Sequence, residues 1–93
     1  MDYCLQNADE AEFNQLMLDT GLCVEITEGE EAVIVPADYT ILIDRIGPIT
    51  MGEITYPEYY SNLRLLNGAT EEQATALAVY AIDPSQPQYR TWL

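Results

Sequence analysis

Asp38-Tyr39-Thr40-Ile41-Leu42-Ile43-Asp44-Arg45-Ile46 is the stretch on which the fold turns. Its apolar, β-branched centre predicts the strongest strand of the chain, buried on both faces or switching faces at a bulge. Asp44 and Arg45 are neighbours, so in an extended strand they point to opposite sides and cannot pair with each other. Gly47-Pro48 is expected to break the strand. Upstream, Leu22, Val24 and Ile26 alternate with more polar residues, as in a half-buried strand. Thr27-Glu28-Gly29-Glu30-Glu31 makes a turn, Ala32-Val33-Ile34-Val35 returns, and Pro36 closes a β-hairpin. Downstream, residues 59–66 predict another strand with Tyr59, Ser61, Leu63 and Leu65 on one face, ended by Asn67-Gly68. Between them, residues 49–57 read as a loop with a short extended piece. Two glycines and two prolines flank that segment, which makes it the expected mobile part.

A helix is predicted on each side of this strand-rich centre. Asn7 is the expected first cap, with Glu10 three residues on as its capping-box partner and Asp9, Glu10 and Glu12 favoured by the dipole in the first turn. Phe13, Leu16, Met17 and Thr20 then make one apolar stripe, and Gly21 stops the helix. The second helix starts at Thr70, with Gln73 completing a capping box. Ala74, Leu77, Ala78 and Ala81 form its apolar side, and Asp83-Pro84 ends it. Tyr89-Arg90-Thr91-Trp92 is expected to add an edge strand. The expected fold is a single α+β domain over residues 1–93, a small antiparallel sheet of about four strands with two helices packed on it.

Charge narrows the function classes. Sixteen acids face three arginines, with no lysine and no histidine, for a net charge of −13. Residues 1–44 carry eleven of the acids and no base, so they hold −11, whereas 45–93 hold −2. Direct nucleic-acid binding needs a cluster of cations for the phosphates, and docking to an anionic membrane needs the same. Neither is expected. No apolar run reaches the length of about 20 residues needed to span a bilayer. The opening Met1-Asp2-Tyr3-Cys4 lacks a basic n-region, which points away from a signal peptide and toward the cytoplasm. Apolar types still make up 48% of the chain, enough for a core.

Chemistry finds few footholds. Without histidine or lysine the usual bases for Ser61 or Ser85 are missing. Cys4 and Cys23 are expected as free thiols, Cys23 in the core. Without histidine they cannot complete an ordinary zinc set. The acids of the 25–31 turn do not follow the order of a calcium loop. No enzymatic activity, cofactor or metal is expected.

The aromatics are the remaining signal. Seven tyrosines and one tryptophan exceed what a small core needs. Tyr56, Tyr59 and Tyr60 cluster near Pro57, while Tyr89 and Trp92 lie close in sequence at the far end. Tyr, Trp and Arg are the residue types enriched where proteins meet. Tyr56, Tyr59, Tyr60, Arg64, Tyr89, Arg90 and Trp92 are therefore the candidate protein interface, with Arg45 as a further arginine. The plainer alternative is that these rings cap a thin sheet.

Asp44-Arg45-Ile46-Gly47-Pro48-Ile49, Tyr59-Tyr60-Ser61-Asn62-Leu63-Arg64 and the ending Arg90-Thr91-Trp92 together resemble a family of small proteins encoded in the tail and morphogenesis gene clusters of tailed bacteriophages and prophages. The resemblance covers residues 39–93, and Arg45 and Gly47-Pro48 depart from the family pattern. It implies a non-enzymatic viral protein, structural or accessory to the tail or its assembly, located in the bacterial host cytoplasm or the virion. Its partners would be proteins, phage virion components among them. The alternative from another class is an acidic mimic of nucleic acid that inhibits a basic host protein, drawing on the acids of residues 1–44. A homo-oligomer joined through edge strands is compatible with either.

Overall fold

A computed structural model describes residues 1–83. The elements run β1 (Asp2–Asn7), α1 (Glu10–Asp19), β2 (Cys23–Glu28), β3 (Glu31–Pro36), β4 (Ile41–Met51), β5 (Ile54–Leu65) and α2 (Glu71–Ala78). The fold is α+β with two helices, as expected. The strands, however, form two sheets. One has three strands in the order β1-β5-β4, and the other is the β2-β3 hairpin alone. All pairings are antiparallel.

β1 was absent from the expected element order. It pairs along its whole length with β5, from Asp2 opposite Arg64 to Asn7 opposite Tyr59. Asn7 is therefore the end of a strand and not a helix cap. Asp9 caps α1 instead, its carboxylate accepting from the Glu12 amide at 2.8 Å, and the Glu12 carboxylate reaches back to the Ala8 amide at 3.0 Å. The expected stripe holds: Phe13, Leu16 and Met17 are buried, and Gly21 lies just past the Thr20 cap.

β4 runs straight through Gly47-Pro48, contrary to the expected break. Its register against β5 slips between Arg45 and Gly47 and again between Gly47 and Ile49. Bulges of this kind absorb the missing proline donor and let the ladder resume. Residues 49–57 are correspondingly a paired arm and not a loop, with Ile49 opposite Tyr56, Thr50 opposite Thr55 and Met51 opposite Ile54.

Both helices pack on one face of the three-stranded sheet. Phe13, Leu16 and Met17 of α1 and Leu77 of α2 meet Leu5, Tyr59, Leu63 and Leu65, with Leu22 and Cys23 closing one end. Burial of each large apolar side chain contributes about 1.5–3 kcal/mol. α2 has the expected capping box, Thr70 Oγ1 accepting from the Gln73 amide and Gln73 Oε1 from the Thr70 amide. Its buried side differs from the expected one: Ala78 and Ala81 are exposed, and Ala76 and Tyr80 pack on the core. The helix stops at Ala78, after which Ala81 bridges to Leu5 along the free edge of β1. No helix among the described residues is long and apolar enough to cross a membrane.

Candidate contact surfaces

The interface expected from the sequence is divided by the fold. Tyr59 and Tyr60 follow each other in β5 and so point to opposite faces of its sheet. Tyr59 is 8% exposed and stacks at 5.4 Å on Phe13 in the core. Tyr60 is 1% exposed, its hydroxyl held between Gln6 and Glu58. Burial and the Glu58 carboxylate push that hydroxyl above its usual pKa. Such buried rings offer no area to another protein, so both leave the candidate interface. Arg64 is engaged within the sheet, where Nε and Nη2 donate to the two carboxylate oxygens of Asp2, directly opposite, at 2.8 and 2.9 Å. That pairing holds the Asp2 carboxyl below its usual pKa. Tyr56 remains half-exposed on the β4–β5 arm. Tyr89, Arg90 and Trp92, and the edge strand expected there, lie outside the described residues.

Arg45 has a structural task too. Its guanidinium lies over the Phe13 ring, 4.9 Å from the centroid, and Nη1 donates to Asn14 Oδ1 at 2.9 Å and the Tyr59 hydroxyl at 3.3 Å. Asp44, on the opposite face as expected from alternation, accepts from Asn62 Nδ2 at 3.3 Å. Cys23 is buried, and desolvation pushes its thiol up despite the nearby positive charge of Arg45. Cys4 is half-buried, and neither cysteine is in a disulfide. Ser61 is fully buried.

Apart from Tyr39, which is 87% exposed, the open apolar side chains among the described residues are aliphatic or methionine. In the β2–β3 hairpin, Val24 faces Val35 and Ile26 faces Val33. Alternation puts these four side chains on one side of the ribbon. Val24 is 43% and Ile26 40% exposed. Glu28 and Glu31, directly opposite each other, end the same side, and Glu30 stands in the turn beside them. On the β4–β5 arm, Met51 and the 59%-exposed Ile54 form the last pair, on the same side as Ile49 and Tyr56. The β3 strand of the β2–β3 hairpin and α1 border a cleft lined by Glu10, Asn14, Ala32, Val33, Ile34 and Arg45.

Sequence reasoning named neither aliphatic surface. The signal was present in the alternation of the hairpin, but which side faces the core is decided by where Cys23 and Ile34 pack. Among the described residues, no three carboxylates or thiols gather as a metal site would require. Comparisons with protein-family models, with curated proteins and with solved structures return no match to this chain.

Proposed function

We propose that this chain is a non-enzymatic protein of a tailed phage or prophage, structural or accessory to the tail or its assembly, and that it works through protein–protein contacts. The observation that carries the contact role is the open aliphatic side of the β2–β3 hairpin, Val24, Ile26, Val33 and Val35. A ribbon of two strands is marginal by itself. Leaving its apolar side in water forgoes stabilisation that a partner surface would recover. Met51 and Ile54 on the second arm extend the same argument. The phage context rests on the motifs of residues 39–93. Mass spectrometry of purified virions and of their assembly intermediates is the test, with recovery of the chain as the expected result. Absence from both, with undiminished phage yield after deletion of the gene, overturns the phage role.

The acidic-mimic alternative has one observation in its favour. Glu10 borders the same cleft as β3, which brings the acidic first turn of α1 toward the hairpin that carries Glu25, Glu28, Glu30 and Glu31. Arg45 in that cleft interrupts the row of negative charge. A mimic binds a basic host protein with an affinity that falls steeply as salt rises. Salt-insensitive binding rejects it.

A further inference from the structure

The seam between the two helices holds a groove of about 370 Å³, lined by Leu16, Asp19 and Thr20 from α1 and its cap, and by Thr70, Glu72, Gln73, Ala76, Val79 and Tyr80 from α2 and its flanks. Gln73 fixes its geometry. While Oε1 accepts from the Thr70 amide, Nε2 donates to the Thr20 carbonyl at 3.0 Å, tying the end of α1 to the start of α2. A second hollow on the outer side of α2 shares Glu72, Ala76 and Val79 with the first. Val79 is thus the ridge between two hollows, and it is 74% exposed.

Among the described residues, the charges lining these two hollows are all of one sign. Asp19 and Glu72 line the groove and Glu71 the hollow beside it, with no arginine among the described residues of either lining. Asp19 is also at the wrong end of its helix. It stands in the last turn of α1, where the dipole is negative and no basic residue compensates, and its one hydrogen bond comes from the neutral Gln15 amide at 2.7 Å. Glu71 and Glu72 are cheap at the first turn of α2, but Asp19 is not. Its charge adds to the negative potential over the groove.

We infer that this groove docks an amphipathic basic helix of a partner protein, an apolar residue astride Val79 and lysine or arginine side chains reaching Asp19 and Glu72. An apolar stripe laid between two helices is a recurrent mode of recognition. A second copy of this chain is a poor occupant, because it has no lysine and a net charge of −13. The inference rests on the reading of the chain as a contact protein and adds the chemistry of one contact, at a site separate from the hairpin sides.

The test uses a synthetic helical peptide with leucines at helical spacing flanked by lysines, titrated into the labelled protein and followed by amide chemical shifts. Shifts are expected at Leu16, Asp19, Gln73, Ala76 and Val79. Val79→Asp and Asp19→Asn are each expected to weaken binding about fivefold or more, with the spectrum of the free protein otherwise preserved. Val79 is exposed and Asp19 lies on the surface, so neither change disturbs the core. Equal binding by a lysine peptide without leucines, or no binding, overturns the inference. Shifts confined to Val24, Ile26, Val33 and Val35 overturn it too, but leave the broader contact role standing. A dimer in sedimentation that Val79→Asp dissolves would make a second copy the occupant and reject the basic partner.

Discussion

The two hairpins of this protein turn on the same dipeptide and come to different ends. Gly29-Glu30 joins β2 to β3 and Gly52-Glu53 joins β4 to β5, each a two-residue loop with the glycine at positive φ, +63° and +64°. Glycine at the first central position is the requirement of a type II′ turn, whose twist suits the strands it joins. Beyond the turn the resemblance stops. β5 is the middle strand of a sheet, and its Leu63 and Leu65 lie in the core between β1 and β4. Among the described residues the β2–β3 ribbon has no third strand, and it reaches the core through Cys23 and Ile34. The pairs flanking the turns differ as well: Met51 with Ile54 in one, Glu28 with Glu31 in the other. Local turn chemistry therefore makes a hairpin, while its neighbours decide whether that hairpin is scaffold or free surface.

The sharpest way to break this contrast is to remove packing from each hairpin. Leu63→Ala is expected to cost about 2–5 kcal/mol in denaturant unfolding, because the site is fully enclosed. Val24→Ala, on the open side of the other ribbon, is expected to stay within about 0.5 kcal/mol. Similar losses at both would mean that the β2–β3 ribbon is as much part of the core as β5. A smaller effect probes the turns. Gly52→Ala and Gly29→Ala each force a side chain into positive φ, at about 1–2 kcal/mol. For Gly29→Ala, amide exchange is expected to quicken within β2 and β3 while the three-stranded sheet keeps its protection. A uniform rise across the molecule would show that the ribbon does not open independently.

Charge at the tip offers a finer test. Like charges directly opposite each other in a hairpin are destabilising. Replacing one of them, Glu28→Lys, is expected to slow exchange of the β2–β3 amides about twofold to fivefold, and unchanged exchange would show that the two carboxylates are already apart. The smallest effect lies on the β5 side, at the exposed Asp2–Arg64 pair. The folded pKa of Asp2 is lowered, so its stabilisation is present above the unfolded carboxylate value and is lost as pH falls through the folded one. Asp2→Asn is therefore expected to be slightly less stable near neutral pH and no different in strong acid. A gap that persists in acid would assign the loss to something other than the ion pair.

Features that depend on a few consecutive residues were legible. The Thr70/Gln73 capping box, the Gly21 stop, the Phe13-Leu16-Met17 stripe and the hairpin across Gly29 are all where local chemistry puts them. Asn7 misled because it satisfies a cap rule that Asp9 satisfies two residues later. The arm at 49–57 carries the same Gly-Glu turn signal as the first hairpin, but Pro48 and Pro57 lack the amide donors of a regular ladder and so favour a loop by local rules. β1 is another matter. Its six residues are held by a partner strand 52 to 62 positions away, a separation across which no periodicity carries information. The candidate interface failed at Tyr59 and Tyr60 for a related reason, since residue type says that a ring suits an interface and only packing says which rings are left outside.

The sequence by itself determined where α2 begins, where the first hairpin turns and that the chain carries a large negative charge weighted to its first half. These are properties of adjacent residues or of simple counts. Tertiary structure alone decided that β5 would be the middle strand, that Arg45 would lie over Phe13 and Arg64 against Asp2, and that Val24, Ile26 and Val79 would face outward. Each of these depends on which distant surfaces win the competition for burial. Burial is non-directional and scales with apolar area, so many residues of similar hydrophobicity compete for the same core, and only the assembled fold selects among them.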